Sequence, residues 1–324
     1  MESLVSFSKW LSKWFTVAVI LWAAFNYALP ATSSWVIPNT AYLLGLILFG
    51  MGLTLTTEDF KRIAKRPIPV VLGTVAHYVI MPGLAWLLCM IFHLKGATAA
   101  GVILVGSCPS GTSSSVMAFL SGGDVALDVS IETLSTLFAP LMIPTLSTLL
   151  APLMIPTLLS FLAGQYVSVP AQSLFLSTLR IVVVPIILGV LIHSIFGKKI
   201  DAIIKIMPLI SQAAILLIVG AVVSANHANI FTAATALVIP VVMLHNLCGY
   251  ALGFGFSKIL GLEEPQQKAI TFEVGMQDSS LGATLAMKYF VPQAAIPSTI
   301  FSIWHNISGS ILSSWWKNHS KNNQ

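Results

Sequence analysis

Charge is the scarcest property of this chain. Asp, Glu, Lys and Arg make up only 8% of its 324 residues and 56% are hydrophobic, whereas about a quarter of a soluble globular domain is charged. A sizeable soluble domain is thereby excluded. Cysteine is nearly absent too. Cys89, Cys108 and Cys248 are odd in number and all lie in hydrophobic stretches, which argues against a disulfide framework. No Gly-x-Ser-x-Gly elbow and no His-Glu-x-x-His pair occurs, so neither motif of an intramembrane hydrolase is available. His77, His245 and His305 share no metal-ligand spacing and are expected to be hydrogen-bonded core residues. Lys9 and Lys13 resemble the start of a signal peptide, but Asn26-Tyr27-Ala28-Leu29-Pro30 offers no cleavage site, so a retained first helix is expected.

What is present instead is a succession of stretches long enough to cross a bilayer. They lie at 14–29, 36–55, 69–92, 97–121, 124–145, 171–195, 208–225, 230–257, 266–290 and 293–316, which predicts an all-α membrane protein of ten transmembrane helices. Lysine and arginine fall on alternate loops: Lys61, Arg62, Lys65 and Arg66, then Lys198, Lys199 and Lys205, then Lys258 and Lys268, with Lys317 and Lys321 in the tail. The opposite loops hold Lys95 and Lys288. By the positive-inside rule both termini are cytoplasmic. The net charge of +5 is therefore a topology signal and no sign of a nucleic-acid partner. Trp14, Trp35, Trp304, Trp315 and Trp316 stand near span ends, where an aromatic belt places them.

Two spans are interrupted by polar residues at mid-membrane, and the interruptions match. Leu104-Val-Gly-Ser-Cys-Pro-Ser-Gly-Thr-Ser-Ser-Ser115 and Glu273-Val-Gly-Met-Gln-Asp-Ser-Ser-Leu-Gly-Ala-Thr284 align on Val105-Gly106 and Val274-Gly275. Irregular backbone at membrane depth is tolerated only where protein encloses it or it lines a cavity. Broken helices at corresponding positions of two half-chains are the sequence signature of a secondary-transporter binding site. The breaks fall in the fourth and ninth spans, so residues 1–163 and 164–324 read as two five-helix repeats. Five crossings per half invert one repeat relative to the other, with helices 4 and 9 crossing near the midplane.

A sharper repeat lies inside the first half. Residues 134–145 and 146–157 are identical at eleven of twelve positions, a tandem duplication in or after helix 5. As one helix, 124–163 would be ~60 Å long, about twice the hydrocarbon thickness, and Pro140, Pro144, Pro152 and Pro156 weigh against continuity. The first copy is expected to complete helix 5 and the second to extend it on the outer side.

Ser107-Cys-Pro-Ser-Gly-Thr-Ser-Ser-Ser-Val-Met117, Gly123-Asp-Val-Ala-Leu127, Glu273-Val-Gly-Met-Gln277 and Phe301-Ser-Ile-Trp-His-Asn-Ile-Ser-Gly-Ser310 resemble the bile acid:sodium symporter family, in particular its bacterial, pantoate-transporter-like members. The resemblance covers nearly all of the chain apart from the duplication. It implies a panel domain (helices 1, 2, 6, 7) and a core domain (helices 3–5, 8–10). Two sodium ions would lie behind the crossing, with an organic anion in the cleft between domains. Carried over by position, one sodium site takes the Glu273 carboxylate, Gln277, the carbonyls of Val274 and Met276, and His77. The other takes Ser114, Ser115, Glu273, Asp128 and Glu132. Thr112, Ser113, Asp278 and Asn306 are the implied substrate contacts. Sodium is a hard cation suited to oxygen ligands, and the C-terminal ends of half-helices offer free carbonyls.

Departures from the family pattern concentrate at these positions. Relatives typically carry Asn at 115, small hydroxyl residues at 128 and 132, and Asn at 278. Up to four carboxylates then surround the crossing, with Arg180 as the nearby candidate cation. The surplus acids bring in proton-coupled or pH-gated transport of an organic acid as an alternative. An intramembrane enzyme or a channel is more remote. The expected activity is sodium-coupled import of an organic anion, such as a bile acid or a small hydroxy acid like pantoate, by a monomer in a bacterial inner membrane.

Overall fold

A computed structural model describes residues 14–56, 67–154, 171–228, 230 and 232–322, with 7, 10, 11, 61, 64 and 65. Lys9, Lys13, Arg62, Arg66, Pro156, Thr157 and the expected division at 163/164 lie outside the described residues. All described elements are helical. In chain order they are α1 (Phe15–Ala28), α2 (Thr40–Thr54), α3 (Pro67–Ile91), α4 (Gly96–Gly106), α5 (Ser113–Ser121), α6 (Val125–Met154), α7 (Ala171–Thr178), α8 (Val184–Phe196), α9 (Asp201–Asn226), α10 (Ala233–Ile259), α11 (Glu264–Gly275), α12 (Ser279–Tyr289) and α13 (Ile296–Asn322). A π-helical turn, Leu179–Val183, joins α7 to α8. Among the described residues, six segments are long and apolar enough to cross a membrane: Pro30–Thr54, Pro67–Ile91, Val125–Leu146, Gln172–Phe196, Asp201–Asn226 and Thr235–Ile259.

The two interrupted spans become helix pairs. Gly106 ends α4, and Pro109 has no N–H with which to continue the ladder. Ser107 and Cys108 close the end by bonding back to Ile103, Leu104 and Val105 carbonyls. At the other end of α5, Gly122 takes φ +74°, a left-handed stop that suits glycine. Gly123 N–H then reaches Ala118 O at 2.7 Å. A reciprocal capping box between Glu263 and Gln266 starts α11, satisfying two N–H groups that a helix start leaves open. Met276 is extended, and Asp278 starts α12 by accepting from Leu281 N–H at 3.0 Å.

Packing sorts the helices into two groups. In one, α2 lies against α8 and α9, and α1 lies against α9. Lipid supplies little hydrophobic drive between membrane helices, so close approach of small residues matters. A Cβ on Gly52 would stand 2.3 Å from Ile186 O, and one on Gly189 2.5 Å from Phe49 O. In the other group, α3 packs on α6 and α10, α10 on α11 and α13, and α13 on α5 and α12. Met81, Val102, Val105, Ile131, Val242 and Phe301 form the buried seam of this group.

The prolines of the duplicated segment act differently from expectation. Helix α6 continues through Pro140, Pro144 and Pro152 to Met154, so the first three prolines do not end it. Thr136 and Thr145 each bond back to the backbone carbonyl one turn earlier, Glu132 O and Leu141 O, at 2.7 Å.

Candidate functional site

The breaks meet. Asp278 N–H donates to Pro109 O at 2.8 Å, tying the loop before α12 to the loop before α5. Gly111 fits against the second break with no room to spare, since a Cβ there would lie 2.7 Å from Gln277 O. Backbone groups freed by one interruption are thus partly satisfied by the other, which makes irregular chain tolerable at this depth.

Behind the meeting point stands a cluster of three buried carboxylates. Asp128 and Glu132 come from consecutive turns of α6 and Glu273 from the last turn of α11. One oxygen of each lies within 4.8 Å of the others. Two α5 hydroxyls hold them. Ser114 Oγ is 2.7 Å from Glu273 Oε1 and 3.1 Å from Asp128 Oδ2. Ser115 Oγ is 2.6 Å from Asp128 Oδ2 and 3.1 Å from Glu132 Oε2. Each hydroxyl has a single proton for two carboxylates. Asp128 Oδ1 and Glu273 Oε2 are buried without a hydrogen-bond partner, a costly state unless something positive or protic joins them. The donor set is all hard oxygen and suits a sodium ion. Arg180 does not serve here: it sits exposed on the π-helical turn, and Asp128 is held by Ser114 and Ser115.

A second group of residues bridges the half-helix ends. His77 of α3 is fully buried, with Nδ1 2.8 Å from Glu273 O and Nε2 2.8 Å from Cys108 O. Gln277, with its amide nitrogen turned to α4, donates to Cys108 O at 2.8 Å and Val105 O at 3.2 Å. Val274 and Met276 are buried beside them. Asn246 Nδ2 holds Gly275 O at 2.8 Å and is itself held by Ser308 Oγ at 2.6 Å.

Next to the crossing a cavity opens between the two helix groups, with about 530 Å³ of empty space, open solvent at its mouth included. Phe15, Ile47, Leu48, Met51 and Ile215 make one wall, and Thr112, Ser113, Glu132, Asp278 and Asn306 belong to the other. All four expected substrate contacts therefore share one cavity. Glu132 touches both the cavity and the carboxylate cluster.

Matches with known proteins agree with this geometry. The model of the sodium bile acid symporter family matches residues 41–233. The chain belongs to that family. Its similarity to YocS of Bacillus subtilis, described as an uncharacterised sodium-dependent transporter, is 42% identity over 100% of this chain and 97% of YocS. It is 33% identical to the probable sodium/metabolite cotransporter BASS1 of Arabidopsis thaliana, over 98% of this chain and 78% of that protein. As a member of the sodium bile acid symporter family, the protein is a multi-pass membrane protein of sodium-coupled transport and not an enzyme.

Some residues around the site escaped the sequence reading. His305 was expected only in the core, yet it lines the cavity with Ser302 and Thr136. His245 does take a core role, with Nε2 2.9 Å from Met81 O. The polar pair His245-Asn246 in an otherwise apolar stretch was the available signal for the support of Gly275. Asp278 serves α12 as its N-cap as well as facing the cavity.

Proposed function

We propose that the protein is a sodium symporter importing an organic acid by alternating access, with ten crossings arranged as two inverted repeats, 1–163 and 164–324. In this reading α1, α2, α7–α8 and α9 form the panel domain and the remaining helices the core. The observation that carries it is the meeting of the two helix breaks beside a carboxylate cluster and a cavity that share Glu132. Glu273, Asp128, Glu132, Ser114 and Ser115 would hold one sodium ion. Gln277, Glu273 and the carbonyls of Val274 and Met276 would hold a second, with His77, whose two ring nitrogens face Glu273 O and Cys108 O, positioning the half-helix ends rather than ligating the ion.

The substrate's carboxylate would be read at the start of α5. Thr112 provides no side-chain cap there; Ser114 N–H is taken by Gly111 O at 2.8 Å, and the other N–H groups at this helix start, with their partial positive charge, would read an anion. The start of α12 is less open, because the Asp278 carboxylate already occupies Leu281 N–H. Bile acids and small hydroxy acids such as pantoate fit this description, as does the metabolite class named for BASS1.

Proteoliposomes under an inward sodium gradient test the reading. Small organic acids, cholate and pantoate among them, should be accumulated at least tenfold over their amides. Equal accumulation of acid and amide would remove the anion assignment. Uptake driven by a proton gradient without sodium would favour the proton-coupled alternative, which the three hydroxyl-linked carboxylates also motivate.

Orientation is a separate proposal, with both termini in the cytoplasm of a bacterial inner membrane. Single cysteines at 198–205 should react with impermeant reagents only from inside, and those at 226–229 only from outside. The reverse pattern would invert the assignment.

A further inference from the structure

We infer that Asn246 is a positioning residue for the second sodium site, holding its two backbone ligands at one separation and so setting which ion the site accepts. The inference rests on the assignment, made above, of the Val274 and Met276 carbonyls to that ion. A helix end leaves its last carbonyls without intrahelical partners. At the end of α11 every second one is tied to the protein. Glu273 O faces His77 Nδ1 at 2.8 Å. Gly275 O accepts from Asn246 Nδ2 at 2.8 Å. Gln277 O accepts from Ser279 N–H at 2.8 Å. The carbonyls between them, those of Val274 and Met276, accept from none of the described residues.

Asn246 acts on the middle of this series. The peptide that joins Gly275 to Met276 is fixed at both ends, by Asn246 at its oxygen and by Phe272 O, which takes Met276 N–H at 2.9 Å. It lies between the two peptides that carry the free carbonyls, so its plane sets how far apart they stand. Asn246 is itself held: it is fully buried, and its Oδ1 accepts from Ser308 Oγ of α13 at 2.6 Å. Gly275 is pressed from the same helix α10, since a Cβ there would run into the Tyr250 ring. Selection between cations depends on the number of coordinating oxygens and on how firmly they are held. Freeing Gly275 O adds a third unpaired carbonyl and lets the other two move, which widens the range of ions that fit.

The test measures radiosodium binding to the full-length protein in detergent, and its displacement by lithium and by potassium. Asn246→Leu keeps the size and removes both hydrogen bonds. In it the preference for sodium over each competitor should fall about fivefold or more. Ser308→Ala leaves the amide but frees its orientation, and should shift the preference in the same direction by about twofold; it carries the test where Asn246→Leu does not fold. A purely structural role would lower the melting temperature in every salt and leave the preference alone. A parental preference in folded Asn246→Leu, or in Ser308→Ala where only that variant folds, overturns the inference. Gln277→Ala tests the site itself and should bind one sodium ion fewer than the parent. A parental count there would remove the second site, and the inference with it. A reduced count beside an unchanged preference in the other two variants faults the positioning role alone.

Discussion

Replacing Glu273 by alanine should abolish sodium-dependent stabilisation and sodium-driven uptake. This residue takes part in both proposed ion sites. Its side chain accepts from Ser114, its second oxygen is buried and unpartnered, and its backbone carbonyl faces His77. Alanine deletes one of three clustered carboxylates and leaves Ser114 with Asp128 as partner. Hydrogen bonds to charged groups contribute about 1.5–3 kcal/mol, so apparent sodium affinity should drop on the order of 10–100-fold even if the remaining ligands stay in place. Melting curves in sodium and in choline chloride provide the measurement, with uptake as the second readout. Glu273→Gln keeps the shape and an acceptor oxygen, so it should fold but bind sodium weakly. A Glu273→Ala protein whose melting temperature still rises with sodium as in the parent would sink the ion-site assignment.

The second large effect is expected at Gly111. Alanine here places a methyl group 2.7 Å from Gln277 O, a backbone atom that cannot step aside as a flexible side chain would. The two breaks must separate, which strains the 2.8 Å bond from Asp278 N–H to Pro109 O. Overpacking of this kind costs about 1–3 kcal/mol. Transport should suffer more than folding, because the carboxylate cluster and the cavity wall both adjoin this junction. A drop in melting temperature of several degrees with near-complete loss of uptake is the expected outcome. Uptake at parental levels in Gly111→Ala would show that the contact is dispensable.

The sequence made the breaks legible because lipid penalises polar backbone so heavily. Pro109, Ser110 and Gly111, like Gln277, Asp278 and Ser279, have no place in a continuous membrane helix. The same penalty marked Glu273 and Gln277, and helical spacing placed Asp128 and Glu132 on one face. The resemblance supplied what spacing could not, the grouping of α5, α6 and α11 residues around one point. Three things were hidden. Arg180 could be placed in a span but not on its outer surface, since one cation in an apolar helix carries no facing information. Prolines in α6 looked like breakers because their cost is set by neighbours that a single chain does not reveal. His305 looked like core because only the three-dimensional edge of the cavity separates a core residue from a lining one.

Glu132 occupies a position with an evolutionary consequence. A wall shared between two ligands cannot be tuned for one of them alone. With Glu132 in both the proposed ion site and the proposed substrate site, a substitution at 132 that admits a new cargo would also reset the affinity for the ion that drives it, and selection on either trait would drag the other along. Asp128, behind the wall, is released from that constraint. Diversification of cargo in such a carrier is therefore expected to proceed through paired changes at 128 and 132, in which the hidden residue restores the grip on the ion that the visible one has given up.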